Sequence, residues 1–141
     1  MHVIFPSVAL IILVSTSTLS SAEDRRELVE LPPMMQQHML ANMRDHLAAI
    51  NEILAHLASD EMDKAADVAE TRLGMSSLKS HGASHMARLM PQGMRIAGTS
   101  MHKAASRFAL SAQEGDVLEA YRKLGDVTAA CVACHEAYRI H

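Results

Sequence analysis

Apolar residues recur at helical spacing along most of the chain beyond residue 33. The clearest stripe runs from Met35 to Leu57, where apolar side chains return every three or four positions, as on one face of an amphipathic helix. Pro32 and Pro33 stand directly before this stripe, and proline suits the first turn of a helix. The pattern therefore predicts a first helix that begins near Pro33 and ends near Leu57.

The remaining apolar pattern predicts three further helices, because strand-forming residues are sparse in this part of the chain. Short polar or glycine-containing segments separate the stripes. These helices cover residues 62–78, 92–113 and 117–139, with Ser59-Asp60 and Asp116 as expected N-caps. Four amphipathic helices joined by short turns predict an all-α fold, an antiparallel four-helix bundle.

The first 22 residues have a different pattern. Val3 to Val14 is an almost unbroken apolar run, and small polar residues follow it up to Ala22. The run is about a dozen residues long, whereas a membrane-spanning helix needs about 20, so a retained anchor is the weaker interpretation. We expect a signal peptide over 1–22 that is cleaved after about Ala22, and one domain over 23–141. This predicts export, and a periplasmic location.

The composition bears on the class of partner and on what the core contains. The formal net charge is −3, with acidic and basic residues interspersed, and no basic stripe predicts a nucleic-acid partner. Four residues are aromatic, Phe5, Phe108, Tyr121 and Tyr138, and Phe5 would leave with the signal peptide. In a core with so few aromatic side chains, a buried large planar group would fill the space that such side chains usually occupy.

Five residues near the end of the chain, from Cys131 to His135, read C-V-A-C-H. C-x-x-C-H is the attachment signature of a c-type haem, in which two thiols form thioethers and the histidine binds iron. A disulfide, a redox pair and half of a zinc site are the alternatives. The motif uses both cysteines of the chain, so no second pair completes a zinc site. We expect one covalent haem c on Cys131 and Cys134, with His135 as an axial ligand.

Two segments, residues 115–127 and 131–139, together resemble class II c-type cytochromes, the cytochrome c′ group and its low-spin relatives. This group carries the haem motif on the last helix of a four-helix bundle. The resemblance implies that His135 is the proximal ligand and that Arg139 lies beside the proximal face of the haem. A solvated arginine on a terminal turn is the alternative for Arg139.

The same resemblance implies that the distal position faces the first helix. A methionine there gives a six-coordinate electron carrier, and an apolar residue leaves iron able to bind small gases such as NO or CO. Met39 is the first candidate, Met43 the second, and an apolar pocket at Leu40 the third. His38 is the fourth, and would give bis-histidine ligation.

The expected function is one-electron transfer with redox partner proteins, and the alternative is a five-coordinate protein that binds small gases. An enzyme is disfavoured, because no distal acid–base pair is evident. Two questions stay open. One is whether the chain forms a homodimer. The other is whether His81, His85 and the nearby methionines bind a second metal, since imidazoles and thioethers are copper-type ligands.

Overall fold

The computed structural model describes residues 23–141, and the predicted signal peptide at 1–22 lies outside them. The described chain is mostly helical, with five α-helices and one short two-stranded sheet, which is compatible with an all-α bundle. The elements are β1 (Glu27–Leu28), α1 (Pro33–Ala58), α2 (Met62–Val68), α3 (Ala83–Met86), α4 (Gln92–Gln113), α5 (Val117–Ala137) and β2 (Tyr138–Arg139).

The three long helices begin where the sequence predicts. Pro32 and Pro91 take extended backbone angles and directly precede α1 and α4. At the start of α5 the Asp116 carboxylate accepts a hydrogen bond from the backbone N–H of Glu119 at 2.9 Å, which confirms Asp116 as an N-cap. The predicted end of α5 at Arg139 is wrong, because Tyr138 and Arg139 are extended and pair with β1.

The second predicted helix is shorter than expected. After α2 the chain continues as a π-helical turn to Leu73, and a 3₁₀ turn from Met75 to Leu78 follows. Gly74 separates them: a Cβ there would lie 2.8 Å from the Cα of Glu70, so only glycine permits this close approach. The expected Ser59-Asp60 cap is also wrong. Residue Glu61 precedes α2 and makes no side-chain cap hydrogen bond, while Asp60 takes a left-handed φ of 58°.

The sheet joins the two ends of the described chain. Strands β1 and β2 run parallel, with Glu27 opposite Tyr138 and Leu28 opposite Arg139. The backbone N–H of Val29 extends the pairing by donating to the Arg139 carbonyl at 2.8 Å. The whole helical region forms the crossover between the two strands, and this element was absent from the sequence-based prediction.

Helix packing leaves α1 apart from α5. The most extensive helix contact is between α4 and α5, and α2 packs between α1 and α4. A main core surrounds the fully buried Phe108 and Ile53. A second cluster forms around the buried side chains of Met39, Met86 and Met94, against which Cys134 packs. Side chains and cavities, rather than close backbone contact, therefore fill the space between α1 and the C-terminal half of α5.

Candidate functional site

Cys131 and Cys134 lie on the last turns of α5, three residues apart and therefore on one side of the helix. Both side chains are half-buried, and neither forms a disulfide. Burial raises the pKa of both thiols, and the neighbouring Cys131 raises that of Cys134 further. The thiols are thus held in their neutral form. His135 follows on the same turn and is exposed.

The smaller of two cavities beside these residues has a volume of about 200 Å³. It lies between α1 and the end of α5, so that first-helix side chains stand across from the motif. Its lining residues are Arg26, Met39, Leu40, Met43, Met94, Cys134, His135, Tyr138, Arg139, Ile140 and His141.

The larger cavity has a volume of about 310 Å³ and a mostly apolar lining. It lies between α1, α4 and α5, where the backbones of α1 and α5 stay apart. Its lining residues are Met43, His46, Leu47, Ile50, Leu73, Ala97, Gly98, Met101, Val127, Thr128, Ala130, Cys131, Cys134 and His135. Met43, Cys134 and His135 line both cavities, so the two spaces adjoin along the haem motif.

The structure brings the sequence-predicted site residues together. Every residue proposed from the sequence as a haem ligand, attachment point or pocket residue lines one or both cavities, apart from His38. These residues are Met39, Leu40, Met43, Cys131, Cys134, His135 and Arg139. His38 lies elsewhere, with its Nε2 atom 2.9 Å from the carbonyl of His81. The sequence does not indicate Met94 as a haem-pocket residue, yet this α4 residue lines the smaller cavity.

The end of the smaller cavity near the chain terminus is basic. Arg139 donates from Nη1 to the carbonyl of His141 at 3.2 Å, and its buried Nε atom has no hydrogen-bond partner. The carboxylate of Asp24 makes an ion pair with this Nε at 3.6 Å and is also bonded to Arg26. Hydrogen bonds from Arg26 hold the pKa of Asp24 well below its usual range. A buried guanidinium nitrogen without a hydrogen-bond partner suits an additional anionic group.

Three histidines form a second cluster of polar residues, which we call the histidine triad: His46 on α1, His81 before α3, and His102 on α4. The ring centroids are 4.8 Å apart for His46 and His81, 5.5 Å for His81 and His102, and 6.0 Å for His46 and His102. His85 does not belong to the triad: it is exposed on α3, and Gly82 with a left-handed φ of 63° separates it from His81. His81 therefore contacts histidines of distant segments, His46 and His102.

Burial sets the charge of the triad. The pKa of His46 is lowered to about 4, mainly because the ring is buried and also because His81 and His102 lie beside it. Burial likewise lowers the pKa of His81 and of His102. All three rings are therefore neutral at pH 7. Next to His46 along α1, Arg72 bonds the Asp45 carboxylate, and this ion pair lowers the pKa of Asp45.

Two negative findings apply to residues 23–141. As the side chains stand, no group of three or more His, Cys, Asp or Glu residues in that range is arranged to hold a metal ion. No helix in the same range combines the length and the apolar composition that a bilayer crossing requires.

Comparison with known proteins gave no relative: no protein-family model, curated protein or solved structure matches the chain. The likeness to class II c-type cytochromes therefore rests on the residues of the last helix.

Proposed function

We propose that the protein is a c-type cytochrome that carries one covalent haem and transfers single electrons. The observation that supports this most is the pair of adjoining cavities, in which Cys134 and His135 face the methionines of α1. A redox-active or structural C-x-x-C pair has no need for two cavities beside it or for thioethers across from it. Haem attachment uses all of these features.

The two cavities suit a planar group with one apolar body and one acidic edge. The larger cavity has an almost wholly apolar lining and would accept the porphyrin body. The smaller one ends at Arg139, whose Nε makes an ion pair with Asp24 but no hydrogen bond, and Arg139 and the neighbouring Arg26 would donate hydrogen bonds to carboxylates such as haem propionates. Burial keeps the Cys131 and Cys134 thiols neutral, and these two side chains would form the thioether bonds to the haem.

The chain would hold the iron from two sides. His135 would provide an imidazole from α5, and a methionine of α1 would provide a thioether from the opposite wall. The bound haem would supply reversible one-electron chemistry, and a thioether ligand raises the reduction potential. Met43 is favoured by its position, because it shares both cavities with His135, whereas Met39 and Met94 share only the smaller one.

The finer architecture and the location are part of the same proposal. Four of the helices, α1, α2, α4 and α5, would form an antiparallel bundle in which the haem replaces direct contact between α1 and α5. Haem attachment to C-x-x-C-H takes place outside the bacterial cytoplasm, in agreement with the signal peptide that the sequence predicts at 1–22. Redox proteins would be the partners.

A five-coordinate gas-binding protein is the second candidate function. Leu40 lines the smaller cavity beside Met39 and Met43. If none of the methionines binds iron, this leucine would shape an apolar pocket for NO or CO.

The first experiment tests covalent attachment. The chain is produced with its own N-terminal segment in a bacterium that matures c-type cytochromes, and haem is stained after denaturing electrophoresis. We expect haem to stay on the wild-type chain and to be absent from Cys131→Ser/Cys134→Ser. A matched Ser77→Ala variant, which leaves both cysteines in place, should keep the stain. A wild-type chain without covalent haem would overturn the proposal.

The second experiment identifies the distal ligand by absorption spectroscopy. Met39→Leu, Met43→Leu and Met94→Leu keep the side-chain volume and remove the sulfur. The variant that loses the ligand should lose the near-infrared sulfur-to-iron band and become high-spin, while the other two keep the wild-type spectrum. A wild-type spectrum that is already high-spin and shifts on addition of CO would favour the gas-binding candidate.

A further inference from the structure

We propose that the histidine triad is a second metal site, next to the proposed haem cavity that His46 also lines, for a late first-row transition metal ion such as Cu²⁺ or Zn²⁺. Imidazole nitrogen is a preferred ligand of both ions, and three histidines with an open fourth position form a common coordination set. The three histidines lie on α1, on the segment before α3, and on α4. A bound ion would therefore link three parts of the fold.

The separation of the rings matches coordination to one ion. A metal about 2.0–2.1 Å from each nitrogen, with each ring centre about 1.1 Å farther out and the nitrogens at tetrahedral angles, puts the centroids about 5.1–5.2 Å apart. The observed centroid distances of 4.8, 5.5 and 6.0 Å lie on both sides of this value. Rings in a stacked arrangement would be parallel, whereas these are inclined by 40° to 89°.

The hydrogen bonds around the triad leave nitrogens for a metal. His102 donates from Nδ1 to the carbonyl of Leu73 at 2.6 Å, so its Nε2 keeps a lone pair. The hydroxyl of Ser77 donates to the carbonyl of Gly74 and accepts from Nδ1 of His81 at 3.3 Å. Nε2 of His81 therefore also keeps a lone pair. Metal-binding histidines characteristically donate their other ring N–H to a carbonyl in this way.

His46 supplies the third nitrogen. Its Nε2 atom is buried and has no hydrogen-bond partner, which is costly for a polar atom beside a protein core. As the rings stand, the three nitrogens do not meet at one point, in agreement with the absence of a preformed site among residues 23–141. Coordination of one ion would require rotation of the rings about χ2, a torsion that is broad for histidine. The neutral state of all three rings at pH 7 is the state that binds metal.

Copper binding by the full chain tests the proposal. The haem-loaded protein without an affinity tag is stripped with chelator, mixed with one equivalent of Cu²⁺ and gel-filtered, and copper per chain is measured. We expect one copper ion in addition to the haem iron. His81→Ala should bind at least about tenfold more weakly. His85→Ala is the matched control, because this exposed histidine lies four residues later and outside the triad, and it should bind like the wild type.

Electron paramagnetic resonance of the wild-type copper complex gives a measurement that needs no variant. Hyperfine splitting from three nitrogens is expected, and a pattern from one nitrogen would overturn the proposal. Absence of copper after gel filtration, or equal binding by His81→Ala and His85→Ala, would also overturn it. The same titration with Cys131→Ser/Cys134→Ser separates the two proposals, because the triad should bind copper even where no haem is attached.

Discussion

Acid should destabilise the metal-free protein through His46. This ring has a pKa of about 4 in the folded chain, against about 6.5 in the unfolded chain. Above pH 6.5 both states are neutral at this residue, and its contribution to stability is fully present. As the pH falls below 6.5, His46 binds a proton in the unfolded state but not in the folded state. The free energy of unfolding therefore decreases progressively down to about pH 4.

The magnitude follows from the two pKa values. Between pH 7.5 and pH 5 the loss attributable to His46 is about 2 kcal/mol, and by pH 4 it approaches about 3 kcal/mol. His81 and His102 act in the same direction, since their pKa values are also lowered. With a urea slope of about 2 kcal/mol/M, the midpoint of unfolding should fall by about 1 M between pH 7.5 and pH 5.

Urea unfolding followed by circular dichroism at both pH values, in the presence of chelator, measures this loss. His46→Leu removes the titrating group, so the difference between the two pH values should shrink by about 2 kcal/mol. The exposed His85 provides the control, because His85→Leu should keep the full wild-type difference. Equal pH dependence in the wild type and in His46→Leu would refute the reasoning.

Three further predictions concern the core, a helix cap and the haem. Phe108→Ala should reduce the free energy of unfolding by about 3–5 kcal/mol, because this ring is fully buried in the main core; a loss below about 1 kcal/mol in urea unfolding would contradict that placement. Asp116→Ala removes the N-cap bond to the start of α5 and should cost about 1 kcal/mol in the same assay, whereas Asp116→Asn should cost less. In calorimetry, Cys131→Ser/Cys134→Ser should melt at a lower temperature and less cooperatively than the haem-loaded chain, because the variant would lack the haem that fills the space between α1 and α5. Sharp melting at the wild-type temperature would count against haem as part of the core.

The long helices were predictable because their signals are local. Helix α4 occupies residues 92–113 as the sequence predicts, since Pro91 defines its start and an apolar stripe continues through it. The Asp116 cap depends on a contact only three residues away. Between residues 62 and 78 the apolar spacing predicts one helix, yet the tight turn at Gly74 divides that segment into short pieces.

The candidate site was partly predictable, because part of its signal is local in the sequence. The spacing of Cys131, Cys134 and His135 is a local signal, and it directed attention to the first helix. The entry of Met94 into the smaller cavity depends on how α4 packs, which spacing does not encode. The histidine triad joins residues from three separate segments, so the sequence showed only scattered histidines where the fold forms one cluster.

The parallel pairing of β1 with β2 has a consequence for the order in which the chain folds. Each strand is only two residues long and its partner lies at the other end of the described chain, so the pair cannot form until the intervening helices have closed the loop. Helices, whose contacts are local, form much earlier. We therefore expect the strands to be the last elements to join. Until they do, the segment directly after His135 remains unpaired, and if haem is attached as we propose, the two thiols would be open to an attaching enzyme while most of the helical structure already exists.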